Sequence, residues 1–291
     1  MKEQYPHLAT SSLHVISSLE SLLIMLFLAA IPAALGYIII GENGLLLGFT
    51  ISLFILGTLP HLPPSTVMSS YRAQLLTQNQ HPELFYCVSL LADKAGLTST
   101  PDVYLLPSSN LQAFTFGNEH ESAIGISHGL LTNLTLGELS GVLAHEIGHI
   151  KSHDTRIMMT ANIAQLITEQ FSFLGKILFV LWIPVFAIQG NIVSGIPIFL
   201  FVILSPIITA LLRSSLSRTR EFNADIFSAE LTNNPLQLAS ALIKMDNLQR
   251  GLIANIFHLR RQSATNLLST HPDTQVRIDR LIALSEQSTK Y

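Results

Sequence analysis

The sequence predicts a mainly helical α+β fold in which a small β-sheet is combined with about four transmembrane helices. The first observation is the composition: 12% of the 291 residues are charged, well below the share in soluble domains, and 48% are hydrophobic. The second is a set of three short segments between residues 102 and 127 that have the length of β-strands. The third is an apolar repeat at helical spacing in residues 136–150.

The first two apolar segments are predicted to form an N-terminal transmembrane hairpin, residues 1–62. Residues 21–41 carry no charge and residues 44–62 are equally apolar, so each can cross a hydrocarbon core of roughly 30 Å. About twenty mostly polar residues precede the first segment. We therefore interpret it as a retained helix rather than a cleaved signal peptide.

A helix and three strands are predicted next. His81-Pro82-Glu83 begins the helix and Gly96 ends it, because Pro favours the first helical turn and Gly the stop. The strands are predicted at about residues 102–106, 113–117 and 122–127.

The following helix carries the most informative motif. Thr135-Leu136-Gly137-Glu138 has the form of a capping box that begins it. His145, Glu146 and His149 then form an HExxH motif. Residues four apart share a helix face, so both imidazoles can reach one metal ion while Glu146 points toward its open coordination site. This geometry is typical of zinc peptidases.

A zinc ion bound by two histidines in this way needs a third protein ligand. His153 is disfavoured, because three successive helical turns span about 12 Å and cannot converge on one ion. Glu221 and Asp225 again lie four apart on a predicted helix. One of these carboxylates can bind zinc while the other hydrogen-bonds a ligand imidazole.

A second transmembrane hairpin is predicted between these motifs, at residues 166–212. No charged residue lies between Lys176 and Arg213, and the polar residues 189–191 divide the stretch. The aqueous part then comes from residues 63–165, with the HExxH motif, and residues 213–291, with the third ligand. Neither stretch holds the full zinc site, so we expect them to form one domain.

The HEIGH motif followed by the segment 217–225, SRTREFNAD, resembles the HtpX-type heat-shock proteases. These are membrane-embedded zinc metalloproteases related to the CAAX prenyl protease. The resemblance implies a zincin-like catalytic domain with one zinc ion per chain, Glu221 as the third zinc ligand and Asp225 as the carboxylate behind a ligand imidazole. The resemblance covers nearly the whole chain. Its other parts are residues 101–106, 112–117, 124–131 and Thr270-His271-Pro272 with Arg277 beyond. In one of these parts the chain departs from the family, because Gln112 stands where the family has Asn.

We expect Glu146 to act as the general base, with His271 as a second donor to the developing oxyanion. An exposed sheet edge is expected to bind the substrate backbone. That edge is predicted to be the strand of Gln112, Ala113, Phe114 and Thr115, with residues 123–127 as the alternative. Asp154 and Arg220 are interpreted as a structural ion pair outside the site.

Charge predicts where the catalytic part lies. The loops at residues 42–43 and 189–194 contain no Lys or Arg, whereas the opposite side is rich in both, so the positive-inside rule places the catalytic domain in the cytoplasm of a multi-pass membrane protein. A single cysteine, Cys87, suits a reducing compartment. The net charge of -3 without a basic stripe argues against nucleic acid as a partner.

Three functions are compatible with these patterns. The first is a zinc endopeptidase that cleaves misfolded or membrane proteins at the cytoplasmic face of the cell inner membrane, as part of a stress response. The second is a specialised processing peptidase resembling the CAAX prenyl protease, against which the count of only four spans weighs. The third is a catalytically silent, zinc-binding membrane scaffold, which would have no need of Glu146.

Overall fold

The computed structural model describes residues 30–37, 40–58, 62–188, 192–257 and 274–288. His271 lies outside these ranges. The elements, in chain order, are α1 (30–37), α2 (Glu42–Thr58), α3 (Pro64–Ser70), β1 (Gln74–Leu75), α4 (Pro82–Ala95), β2 (Asp102–Leu106), β3 (Ala113–Gly117), β4 (Ser122–Ser127), α5 (His128–Asn133), α6 (Leu136–Lys151), α7 (Asp154–Ile188), α8 (Ile192–Thr232), α9 (Pro235–Phe257) and α10 (Thr274–Ser288).

Within these ranges the chain forms two compact units. One takes the residues before 59 and Ile157–Thr219, and its described part is helical apart from a turn at Gly41. The other takes Leu59–Arg156 and Arg220–Tyr291, and it contains the sheet. The predicted mainly helical α+β fold with a small sheet is confirmed.

The sheet of the second unit has the strand order β1-β2-β4-β3. β2 and β4 are parallel, while β1 and β3 are antiparallel to their neighbours. β4 is buried along its whole length because it is paired on both sides, and β3 is an edge strand. The three predicted strands coincide with β2, β3 and β4.

α6 lies at the centre of this unit, packed against α4, β3 and α9. Its apolar residues join those of the sheet and of α9 in one core, including Val103, Ile124, Leu143, Ile147 and Leu238. The HExxH motif is therefore built on the most enclosed helix of the unit, where its side chains have little freedom to move.

The capping box predicted at the start of α6 is present. The Thr135 hydroxyl accepts from the Glu138 backbone N–H, and Glu138 Oε2 accepts from the Thr135 backbone N–H at 2.8 Å. Glu138 also accepts from Ser240 Oγ and from Lys244 Nζ on α9, both at 2.7 Å. Burial alone would raise the pKa of Glu138, but the hydrogen bond from Lys244 and those from Ser240 and Thr135 lower it from 4.5 to about 2.

We expect Glu138→Gln to lower the free energy of unfolding at neutral pH by about 1–3 kcal/mol, because the charged hydrogen bond to Lys244 is lost. A carboxylate with a depressed pKa stabilises the fold above its unfolded pKa, so the difference from wild type should shrink as the pH falls from 4.5 toward 2. Thermal unfolding at several pH values measures this, with the exposed Glu121→Gln as control. A difference that does not change with pH would contradict the role of the charge.

The predicted transmembrane helices are supported by the structure only in part. In the portion of the chain that the structure describes, one helical segment, Phe199–Thr232, is long and apolar enough to cross a membrane, with a mean hydropathy of 1.9. A shorter apolar helix runs over Glu42–Phe54. The prediction of about four transmembrane helices therefore stays a prediction.

α8 differs from the sequence prediction in its continuity. The prediction separated an apolar hairpin ending at residue 212 from a later helix with Glu221, whereas α8 runs without interruption from Ile192 to Thr232. No Gly or Pro lies between Pro206 and the end of the helix, so nothing in that stretch breaks it. α8 ends where Asn233 adopts a φ of 53°, and α9 begins at Pro235.

Candidate metal centre

The structure brings His145, His149 and Glu221 together. His145 and His149 lie one turn apart on α6, and Glu221 approaches them from α8. One ligand atom from each of the three residues lies within 4.8 Å of the other two. The two Nε2 atoms are 3.2 Å apart, and oxygens of Glu221 lie 3.4 Å from Nε2 of His145 and 3.7 Å from Nε2 of His149.

Each imidazole has a buried carboxylate behind it. Nδ1 of His145 lies 3.0 Å from Oδ1 of Asp225, as the pairing of Glu221 and Asp225 on one helix predicts. Nδ1 of His149 lies 3.1 Å from Oδ2 of Asp154. Because Nδ1 is engaged in both rings, Nε2 of each ring is left to face Glu221 and to bind a metal.

The turn after α6 explains how Asp154 reaches His149. α6 ends at Lys151, and His153 adopts the left-handed conformation with a φ of 54° before α7 begins at Asp154. The side chain of His153 is 58% exposed and lies 4.0 Å from Glu119 rather than among the ligands.

Arg277, on α10, connects several of these groups. Its Nη1 lies 2.9 Å from Oε2 of Glu221, and its Nε and Nη2 donate to the two oxygens of Asp225 at 2.8 and 2.6 Å. Burial alone would lower the pKa of Arg277, but these carboxylates raise it above its ordinary value. From the sequence, Arg277 was recognised only as part of the family resemblance. Its contacts with Glu221 and Asp225 were not predicted, because residues so far apart in sequence have no spacing pattern that relates them.

Electrostatics favour a cation at this position. Burial and the charge of Arg277 lower the pKa of His145, yet hydrogen bonds to Asp225 and Glu221 outweigh them and raise it to about 9. The same carboxylates that attract a proton to this imidazole would attract a metal ion in its place.

The charges of the cluster fit a divalent ion. Four buried carboxylates and two buried guanidinium groups lie at or next to the ligands, so two negative charges are in excess when all six side chains are ionised. Burying these two charges without compensation would cost several kcal/mol. Two imidazole nitrogens and one carboxylate oxygen are also a ligand set of catalytic zinc sites. Within the described residues, this is the one cluster of the kind. The six charged side chains, each at most 8% exposed, are Glu146, Asp154, Glu221, Asp225, Arg220 and Arg277.

The predicted substrate strand lies beside the motif helix. β3 contains Ala113, Phe114 and Thr115, and the Thr115 hydroxyl donates to the backbone carbonyl of Glu146 at 3.5 Å. Gln112 precedes the strand and exchanges hydrogen bonds with Ser127. The alternative strand, residues 123–127, lies in β4 and has no free edge.

Comparisons with known proteins agree with this geometry. Residues 78–285 match Peptidase family M48. A "Protease HtpX homolog" of Acaryochloris marina is 35% identical over 285 residues, covering 93% of this chain and 94% of that protein. "Protease HtpX" of Legionella pneumophila (strain Lens) is 32% identical over 288 residues, covering 93% of this chain and 100% of that protein.

A solved structure shares the fold. The chain is similar to S. mikatae Ste24p with a TM-score of 0.52 at 20% sequence identity, over 94% of this chain. It spans 66% of the Ste24p chain, less than two thirds of it. The chain belongs to Peptidase family M48 and is a metalloprotease, and the HtpX relatives together with the apolar segment of α8 indicate a membrane protein.

Proposed function

We propose that the protein is a zinc-dependent endopeptidase of the cell membrane that cleaves misfolded or membrane proteins at the cytoplasmic face. The observation that carries this proposal is the convergence of three residues: His145 and His149, which flank Glu146 on the buried helix α6, and Glu221 from α8. The proposed role is protein quality control, in which substrates would be recognised by their unfolded backbone more than by their sequence.

In the proposed mechanism, His145, His149 and Glu221 would hold one zinc ion. When bound, zinc supplies a Lewis acid that lowers the pKa of a water and polarises the scissile carbonyl. Glu146 accepts the proton of the attacking water and delivers it to the leaving amine. Asp225 orients His145, and Arg277 holds Asp225 and Glu221 in place. His271, our candidate for a second donor to the oxyanion, lies outside the described residues.

The edge of the sheet supports substrate binding through the backbone. The bond from the Ser127 N–H to the Gln112 carbonyl makes these residues a hydrogen-bonded pair, next to the pair Ala113 and Ile126. Hydrogen-bonded and open positions alternate along an antiparallel ladder. The N–H and C=O groups of Ala113 and Thr115 therefore point away from β4, toward the free edge, where an extended substrate can add a strand.

Thr115→Pro should weaken cleavage of every substrate to a similar extent while metal content stays unchanged, because proline removes one outward backbone donor without breaking a bond to β4. Kinetics on several unrelated unfolded substrates would measure this. Thr115→Val is the matched control, since it keeps the backbone N–H and loses only the hydroxyl that contacts Glu146. A loss confined to one substrate would instead favour a side-chain pocket and the specialised processing function.

The membrane location is supported by the sequence before Glu221. Arg213 is the first charged residue after the apolar stretch, and Glu221 follows eight residues later in the sequence. A ligand so near an apolar segment in sequence suits substrates that emerge from the membrane or collect at its surface.

Accessibility labelling tests the cytoplasmic orientation. Single cysteines in a Cys87→Ser background should react from outside the cytoplasm at Asn43→Cys and Asn191→Cys. His120→Cys should react only from the cytoplasm, because positively charged segments remain inside. Labelling of Asn191→Cys from the cytoplasm would contradict the second hairpin.

The proposal as a whole is tested with the purified full-length chain in detergent. We expect about one zinc per chain, and cleavage of an unfolded protein that stops on chelation and returns with added zinc. Zinc binding without any cleavage would favour the scaffold function instead.

A further inference from the structure

Asp154 has two partners on opposite sides. It is the first residue of α7 and is only 1% exposed. Its Oδ2 lies 3.1 Å from Nδ1 of His149, and its Oδ1 forms an ion pair with Nη1 of Arg220. The same Arg220 nitrogen lies 3.5 Å from the carbonyl oxygen of Ser152, in the turn that joins α6 to α7.

Both oxygens of Asp154 are engaged. Oδ1 meets the guanidinium of Arg220, and Oδ2 lies next to the imidazole of His149. A carboxylate oxygen at this distance can only accept from Nδ1, and a hydrogen bond in that direction selects the imidazole tautomer whose Nε2 is free to bind a metal.

The pair also connects parts of the site that are distant in sequence. Arg220 directly precedes Glu221, and Asp154 follows His149 after the turn at His153. A contact between Arg220 and Asp154 therefore fixes Glu221 and His149 relative to each other. The sequence predicted this ion pair as a structural one outside the site, because spacing alone does not show that Asp154 lies next to His149.

We propose that Asp154 and Arg220 are positioning residues for the metal: Asp154 holds His149 in the tautomer that presents Nε2, and Arg220 keeps Asp154 in place. The inference rests on the proposed zinc site. Hydrogen bonds of this kind behind a ligand histidine change metal affinity by roughly 10- to 100-fold.

The test compares Asp154→Asn with wild type, both as full-length chains in detergent. Zinc affinity is measured by competition with a chelator, and the bound Co²⁺ spectrum reports on ligand geometry. We expect zinc to bind roughly 10- to 100-fold more weakly, with a changed Co²⁺ spectrum. Glu119→Gln, which makes the same acid-to-amide exchange at the half-buried ion pair with Lys151, should change neither.

A purely structural ion pair would give a different result. Asp154→Asn would then lower only the melting temperature of the metal-free protein, and unchanged zinc affinity with an unchanged Co²⁺ spectrum would overturn the proposal. Arg220→Lys keeps the positive charge and should retain most of the affinity. Loss of affinity as large as in Asp154→Asn would contradict the role given to the charge of Arg220.

Histidine ¹⁵N NMR of the zinc-loaded wild type tests the tautomer without any variant. We expect His149 to bind zinc through Nε2 and to carry a slowly exchanging proton on Nδ1. Ligation through Nδ1 would overturn the inference even if Asp154→Asn failed to fold. A wild-type chain that binds no zinc would instead refute the proposed function, so the two failures are distinguishable.

Discussion

Replacing Glu146 with Gln is expected to abolish peptide hydrolysis while the metal stays bound. The amide has the size of the carboxylate but cannot accept the proton of the attacking water, and loss of a general base typically costs about 10²- to 10⁴-fold in rate. Glu146 is not among the three residues whose ligand atoms converge, so the metal should remain. Cleavage of an unfolded substrate and the metal content of the same sample measure the two effects together.

The control for this variant is Glu230→Gln, the same exchange at an exposed position on α8. It should retain both activity and metal. If Glu146→Gln kept more than a few per cent of the wild-type activity, another group would have to be the base. If it lost its metal, Glu146 would have a structural role in the centre that its position does not predict.

The second large effect is expected for the ligands themselves. Glu221→Ala and His149→Ala should each lower the zinc content of the purified chain, because two protein ligands cannot complete the centre. The loss should exceed the roughly 10- to 100-fold change that follows from removing a hydrogen bond to a ligand. In Glu221→Ala, the guanidinium of Arg277 also loses a partner at 2.9 Å and adds an uncompensated positive charge near the ion.

Elemental analysis after dialysis against a weak chelator measures this loss. Glu230→Ala, on the same helix, should keep its metal. Full zinc occupancy in Glu221→Ala would show that the third ligand is a different residue, and Asp225 would be examined next because it lies one turn away and contacts His145.

The parts of the fold and site that could be predicted from sequence are those set by local spacing. Thr135 and Glu138 define the start of α6 through bonds across three residues, and Gly96 ends α4 because its φ of 66° suits glycine. His145 and His149 share a helix face for the same local reason. The positions of β2, β3 and β4 could also be predicted, because each strand is a short segment bounded by turn residues.

The contacts that cross between elements could not be predicted in this way. Asp154 meets His149 across a turn in which His153 adopts the left-handed conformation, and the sequence gives no signal for that conformation at His153. Arg277 reaches Glu221 from another helix, so no periodic pattern relates the two residues. The continuity of α8 was missed because the change from apolar to charged residues suggested a boundary where the backbone has none.

The contribution of Arg277 to the centre also has a consequence for biosynthesis. Ribosomes add roughly 5–20 residues per second, so Arg277 joins the chain on the order of ten seconds after His149. In the last part of that interval the histidines, Glu221 and Asp225 are already in the chain, but the guanidinium that anchors the two carboxylates is not. A translation product interrupted before Arg277 would therefore lack a complete centre, and hydrolytic activity would arise only in chains whose synthesis has passed this residue.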